Sequence, residues 1–158
     1  MTTLLGEYDI RIDAKSRIML PSALKKQLPQ TEQESFVINR GFEQCLNLYP
    51  KKVWEKIASK LAGLNQYVAA NREVTRFILN GATEVQLDDS GRLLIPKKLL
   101  EYAKVDKDIV MQASLDHVEI WAKEQFDKAS KFDMKAMSAL AEQVLGNNND
   151  GGQTGGLS

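Results

Sequence analysis

Two aspartates and two arginines at equal spacing are the residues of this chain best suited to chemistry. Asp13 and Arg17 frame the segment DAKSR, and Asp88 and Arg92 frame DDSGR. A guanidinium presents a planar fork of donors that matches a phosphate or the O6/N7 edge of guanine. A carboxylate four residues earlier, among turn formers, accepts local backbone N–H bonds or pairs with its own arginine. Two readings follow from spacing alone, and both stay open. In one, Arg17 and Arg92 are held at strand starts to meet nucleic acid, with Asp13 and Asp88 organising the turns. In the other, two Asp–Arg bridges simply pin two hairpins, a modest surface contribution. Lys15 lies inside the first motif. Arg11, Lys97 and Lys98 join the candidates by charge and proximity.

Other chemistries find less support. Cys45 and His117 are each the only residue of their type. One thiol and one imidazole without ligand-spaced partners make neither a zinc site nor an oriented nucleophile pair. A single cysteine also excludes an intrachain disulfide. Neither G-x-x-x-x-G-K-[ST] nor G-x-G-x-x-G occurs, so nucleotide binding has no motif behind it. Asp88 and Asp89 are adjacent and need not converge as an acid–base pair. Tyr49, Trp54 and Trp121 fall within an apolar pattern and read as core or interface. No catalytic group, cofactor or metal is expected.

The elements that must position the two turns are written twice. LLGEYDIRIDAKSRIMLPSALKKQL aligns with LNGATEVQLDDSGRLLIPKKLLEYA at a shift of 75 residues. Gly6 falls on Gly81, Asp13 on Asp88, Arg17 on Arg92, Pro21 on Pro96 and Leu24 on Leu99. FVINRGFEQCLNLYPKKVWEK aligns with DIVMQASLDHVEIWAKEQFDK at a shift of 72, so the first copy holds three extra residues, placed in QTEQES. Residues 7–12 and 82–87 alternate with a period of two, as half-buried strands do. Strands resume at Arg17–Leu20 and Arg92–Ile95. Pro21 and Pro96 then suit the start of short helices over 22–28 and 97–103. Strands near 36–40 and 45–49, and near 108–112 and 117–121, complete two ββαββ units. Neither unit is large enough to bury a good core alone, so the copies are expected to pack on each other about a pseudo-two-fold. Val53, Trp54, Ile57, Ala58, Leu61 and Leu64 recur at helical spacing with Gly63 as a stop, and Val74, Phe77 and Ile78 mark a second helix. Met134, Met137, Leu140, Ala141, Val144 and Leu145 form an apolar stripe near the C-terminus.

The chain has 158 residues, with 21 Lys+Arg against 21 Asp+Glu and a hydrophobic content of 43%. That is the composition of a globular protein and not of a bulk polycation. The neutral sum hides a local excess. Residues 11–26 carry Arg11, Lys15, Arg17, Lys25 and Lys26 against Asp13 alone, a charge of +4, whereas residues 86–98 carry +1. No apolar run approaches the roughly 18 residues of a membrane span, and the N-terminus has no signal-peptide pattern. The expected location is the cytoplasm. The last thirteen residues, GNNNDGGQTGGLS, have little to bury and read as a disordered tail.

At GEYDIRIDAKSRIMLP, INRGFEQCLNLYPKKVWEKI, GATEVQLDDSGRLLIP and VEIWAKEQF, the chain resembles the MraZ family, bacterial transcriptional regulators with two copies of the SpoVT-AbrB domain. The likeness covers roughly residues 4 to 130. One departure is visible: the family usually has glycine just before the arginine in both copies, and Gly91 keeps it while Ser16 replaces it. The resemblance implies an α+β, mainly β fold, a swapped-hairpin AbrB-type β-barrel built by the two repeats with flanking helices. It implies repeats at 4–50 and 81–123; the sequence patterns above add connecting helices at 51–80, a C-terminal helical segment at 124–145 and the tail at 146–158. It further implies a homo-oligomeric ring whose turns face double-stranded DNA. Its targets would be repeated elements upstream of the division and cell-wall gene cluster, with repression as the outcome and the nucleoid as the place. Carried over by position, the family's motif residues are Asp13, Arg17, Asp88 and Arg92. The alternative is an AbrB-type protein-interaction module, antitoxin-like, without specific DNA readout; the apolar-poor tail counts against it.

Overall fold

The computed structural model describes residues 3–155, with side chains through residue 146. The chain divides into two compact units, residues 1–126 and 127–158. In the first unit, β1 (Glu7–Arg11) and β2 (Arg17–Met19) lead into α1 (Ser22–Lys25), a 3-10 turn at Gln30–Glu32, β3 (Ser35–Arg40) and β4 (Leu46–Pro50). Two helices follow, α2 (Lys51–Ala62) and α3 (Ala69–Leu79). The second copy repeats the order with β5 (Thr83–Gln86), β6 (Arg92–Leu94), α4 (Lys97–Tyr102), β7 (Asp108–Ser114) and β8 (His117–Ala122), and α5 (Lys123–Ala129) comes next.

Pairing crosses between the copies. Six strands form one antiparallel sheet in the order β1-β7-β8-β4-β3-β5, and β2 and β6 form a separate two-stranded ladder. The first strand of each copy therefore lies beside the third strand of the other, β1 on β7 and β5 on β3. Exchanging the copies maps Arg17↔Leu94 onto Met19↔Arg92 in the ladder, and Leu46↔Ile120 onto Leu48↔Val118 in the sheet. The pairing thus has two-fold character down to single residues. The sheet does not close on itself as a barrel ladder would, because β1 and β5 remain its edges.

The three extra residues of the first copy are not together in QTEQES. Ile10 pairs with Ile109 and Val85 with Phe36, so β3 and β7 correspond at a shift of 73. Two of the extra residues lie before β3. The third lies in the β3–β4 turn, where the Gly41 amide bonds the Cys45 carbonyl across three residues and the equivalent Ser114↔His117 pair spans two. A turn absorbs one residue without disturbing the strand periodicity, which is why the apolar alignment alone did not reveal it.

The core is built from the repeated apolar positions. Ile18 and Leu93, Leu20 and Ile95, and Leu24 and Leu99 are equivalent pairs, each at most 4% exposed. They meet Phe36, Ile38, Leu46, Leu48, Ile109, Met111 and Ile120 from the sheet in one cluster. Pro21 and Pro96, at φ −57° in both cases, stand at the N-caps of α1 and α4, where a missing N–H costs nothing. Gly6 and Gly81 recur because both adopt positive φ, 128° and 82°, and a Cβ on Gly81 would press against the buried Leu99. Gly63 does end α2, yet at φ −83° it uses none of glycine's left-handed freedom.

In the second unit, α6 runs Met134–Gly155. Its backbone continues past Leu145, the last apolar position of the stripe, into the segment read as a tail. An established helical ladder adds residues at lower cost than it starts. Residues 156–158 of that tail lie outside the described residues. No helix among the described residues is long and apolar enough to cross a membrane.

Candidate nucleic-acid interface

Each D-x-x-x-R motif closes a turn between two strands. In the first, the Asp13 amide bonds the Arg17 carbonyl at 2.9 Å and the Ser16 amide bonds the Asp13 carbonyl at 3.1 Å. Oδ1 of Asp13 accepts the Lys15 and Arg17 amides, both at 2.9 Å. The second turn repeats these bonds: Asp88 Oδ1 accepts the Ser90 and Arg92 amides at 2.9 Å, and in addition the Ser90 hydroxyl at 2.7 Å. Both carboxyls are held below their ordinary value. For Asp13 the chief cause is the Arg17 amide, and for Asp88 it is the Arg92 amide followed by the Ser90 hydroxyl. Asp13 and Asp88 are therefore ionised organisers of the turns.

The turns hand the chain to β2 and β6, and that ladder presents one face to solvent. Ile18 and Leu93 point into the core with no exposed surface. Side chains alternate across a strand, so Arg17, Met19, Arg92 and Leu94 share the opposite face. Met19 and Leu94 are 39% and 60% exposed there. The register sets Arg17 beside Leu94 and Met19 beside Arg92, an arginine and an apolar side chain on each rung. Sequence reasoning missed Met19 and Leu94. Their signal was the same period of two that identified the strands, read on the outer face.

The two arginines are not equivalent. Arg17 Nε donates to Asp13 Oδ2 at 2.9 Å, and its Nη1 lies 3.8 Å from Asp88 Oδ2 of the other copy. Among the described residues no ion pair is found for Arg92, although its amide is engaged by Asp88. Lys15 is exposed at the tip of the first turn, and Lys97 and Lys98 are exposed at the start of α4. Lys15 and Lys97, from different copies, line one cleft of about 510 Å³ together with Leu94 and Gln86. Arg11 is elsewhere. It sits on β1 in an exposed bridge to Asp108 at 3.0 Å, which offsets its charge. The basic excess of residues 11–26 is thus partly neutralised by Asp108 and Asp88, acidic residues that only folding brings near.

Cys45 and His117 occupy equivalent places before and at the start of β4 and β8. Cys45 is buried with Val110, Trp121 and Phe126, and burial pushes its thiol up to about 12. His117 stacks near Tyr49, ring centroids 5.2 Å apart, with its Nδ1 2.8 Å from Asp116 Oδ1. Among the described residues no group of three or more His, Cys, Asp or Glu is arranged to hold a metal ion.

Comparison with known proteins follows the same two-part plan. The model of the family described as "MraZ protein, putative antitoxin-like" matches residues 3–77 and again residues 78–147. A protein of Flavobacterium psychrophilum named Transcriptional regulator MraZ is 42% identical over 151 residues, 95% of this chain and 96% of its own length. Proteins of the same name from Christiangramia forsetii and Cytophaga hutchinsonii are 40% and 41% identical. They cover 93% and 89% of this chain, and 96% and 93% of their own lengths.

Proposed function

This chain belongs to the MraZ family, and we propose that it is a transcriptional regulator that binds double-stranded DNA sequence-specifically through the outer face of the β2–β6 ladder. The observation that carries this reading is the face itself. It is a two-stranded antiparallel ribbon bearing Arg17, Arg92, Met19 and Leu94, with Lys15, Lys97 and Lys98 around it. A ribbon of two strands fits the major groove. Arg92, lacking an ion-pair partner among the described residues, is the arginine best placed to make a bidentate contact to guanine, worth about 1–3 kcal/mol. The lysines are suited to phosphates, which position the protein without specifying sequence. Met19 and Leu94 offer apolar surface to a thymine methyl group.

The relatives' shared name supports transcription regulation as the role. Repression from repeated elements upstream of the division and cell-wall genes, in the cytoplasm at the nucleoid, is the finer form of the proposal. The crossed pairing of β1 with β7 and of β5 with β3 supports an AbrB-type swapped-hairpin barrel. A homo-oligomeric ring would multiply a contact that is small in one chain, since linked sites gain through effective concentration.

Fluorescence anisotropy with the DNA upstream of the protein's own gene, against a scrambled duplex, tests the reading. Specific binding should exceed non-specific binding by at least ~10³-fold and weaken steeply with salt. Equal affinity for both duplexes would remove sequence-specific readout and favour an antitoxin-like protein partner.

A further inference from the structure

The geometry points to Arg17 as a positioning residue: we propose that it clamps the two turns together through Asp13 and Asp88, and so sets where Arg92 meets DNA. This inference rests on the DNA-binding reading above.

The pseudo-two-fold requires two equivalent arginine–aspartate pairs if each motif works alone. The structure has one pair and one bridge. Arg17 Nε takes Oδ2 of its own Asp13 at 2.9 Å, and Nη1 reaches 3.8 Å toward Oδ2 of Asp88, a residue 71 positions along the chain in the other copy. A planar guanidinium can address two carboxylates from different edges, which a single ammonium cannot do with the same geometry. Asp88 is prepared for this. Its Oδ1 already accepts three bonds within its own turn, two from amides and one from the Ser90 hydroxyl. The Oδ2 that an unassisted second motif would give to Arg92 faces Arg17 instead.

The equivalent of Ser90 in the first copy is Lys15, which has no hydroxyl to offer, and Asp13 Oδ1 takes two amides only. The asymmetry therefore has a sequence origin. Its consequence is a division of labour. Arg17 is about 31% exposed, hydrogen-bonded to Asp13 and 3.8 Å from Asp88, whereas Arg92 has no ion pair among the described residues. An arginine held by two carboxylates has little net charge to give a phosphate. It fixes the spacing of two turns whose backbones are joined by the three β2–β6 ladder pairs and by the Ile95–Ser16 and Leu20–Gly91 bonds.

A double-mutant cycle on the full chain separates positioning from direct contact. Asp88→Asn keeps an acceptor oxygen for the Ser90 and Arg92 amides while removing the charge that faces Arg17. Arg17→Ala and Asp88→Asn are each expected to weaken binding to the upstream duplex about tenfold, and together also about tenfold, because both break one device. Arg17→Lys should lose nearly as much as Arg17→Ala, whereas a phosphate contact would survive as a point charge. The circular dichroism spectrum should stay near that of the unaltered chain, which a general loss of structure would not allow. Independent effects multiplying to about a hundredfold, or Asp88→Asn binding as well as or better than the unaltered chain, would overturn the clamp and leave the DNA reading standing. An unaltered chain that does not distinguish the two duplexes overturns both.

Discussion

Replacing Ser16 with glycine is expected to stabilise the protein, and the size of the effect follows from the backbone. Ser16 sits at φ 64°, where the other copy places Gly91 at φ 80°. The left-handed conformation costs a residue bearing a Cβ roughly 1–2 kcal/mol, because the Cβ crowds the following carbonyl. Only the backbone of Ser16 is used: its carbonyl accepts the Ile95 amide at 2.9 Å, a bond glycine keeps. Glycine's wider unfolded ensemble takes back about 0.4–1 kcal/mol. The net gain is about 0.5–1 kcal/mol, or about 1–4 °C in Tm for a chain of this size. Gly91→Ser is the internal control. A Cβ there meets only Met19 Sδ, at 3.5 Å, an ordinary contact. Its expected loss of about 1 kcal/mol is therefore conformational and not steric. Urea unfolding followed by the fluorescence of Trp54 and Trp121 reads both variants as midpoint shifts at constant slope. A Ser16→Gly midpoint at or below that of the unaltered chain would refute the strain argument.

Ile18→Ala and Leu93→Ala, equivalent and fully buried, should each cost about 2–5 kcal/mol in urea unfolding, with similar values for the two. The lowered Asp13 and Asp88 carboxyls contribute stability that is fully present above the ordinary value of 3.8 and is lost as pH falls through their lower folded values. The Asp88→Asn chain should accordingly lose less of its urea midpoint than the unaltered chain between about pH 4 and pH 2. Cys45, with its thiol near 12 and 2% exposed, should react with a disulfide reagent at pH 8 at least about 10³-fold more slowly than a free cysteine, and at the ordinary rate in urea.

Local pattern made the repeat, its strands and the paired apolar core legible, because each copy writes the same period twice. Leu24 and Leu99 could be matched as equivalent apolar positions, and Asp13 and Asp88 placed in turns, from the repeat alone. What local pattern does not carry is the partner of each strand. That β1 would lie on β7 rather than on β2 depends on burial across the whole domain, to which alternation is indifferent. The same gap misplaced the third extra residue of the first copy, since a turn of three residues or two leaves the strands in phase. At the site, charge and proximity alone added Arg11, Lys97 and Lys98 to the motif arginines Arg17 and Arg92. The fold gives Arg11 to Asp108 and Arg17 to two aspartates, one from each copy, and leaves Arg92 without an ion pair among the described residues. An acidic residue 71 or 97 positions away is invisible to a window of sixteen.

Site-directed cross-linking tests most directly whether the β2–β6 face meets DNA. Cys45 is buried and poorly reactive, so a photo-cross-linker can be attached selectively at Leu94→Cys on the ladder or at Ser59→Cys on α2. With the upstream duplex bound, irradiation should join DNA to the chain labelled at Leu94→Cys, and competitor duplex of the same sequence should abolish the product. Cross-linking from Ser59→Cys with none from Leu94→Cys, under conditions where anisotropy shows the duplex bound, would contradict the assignment of this face.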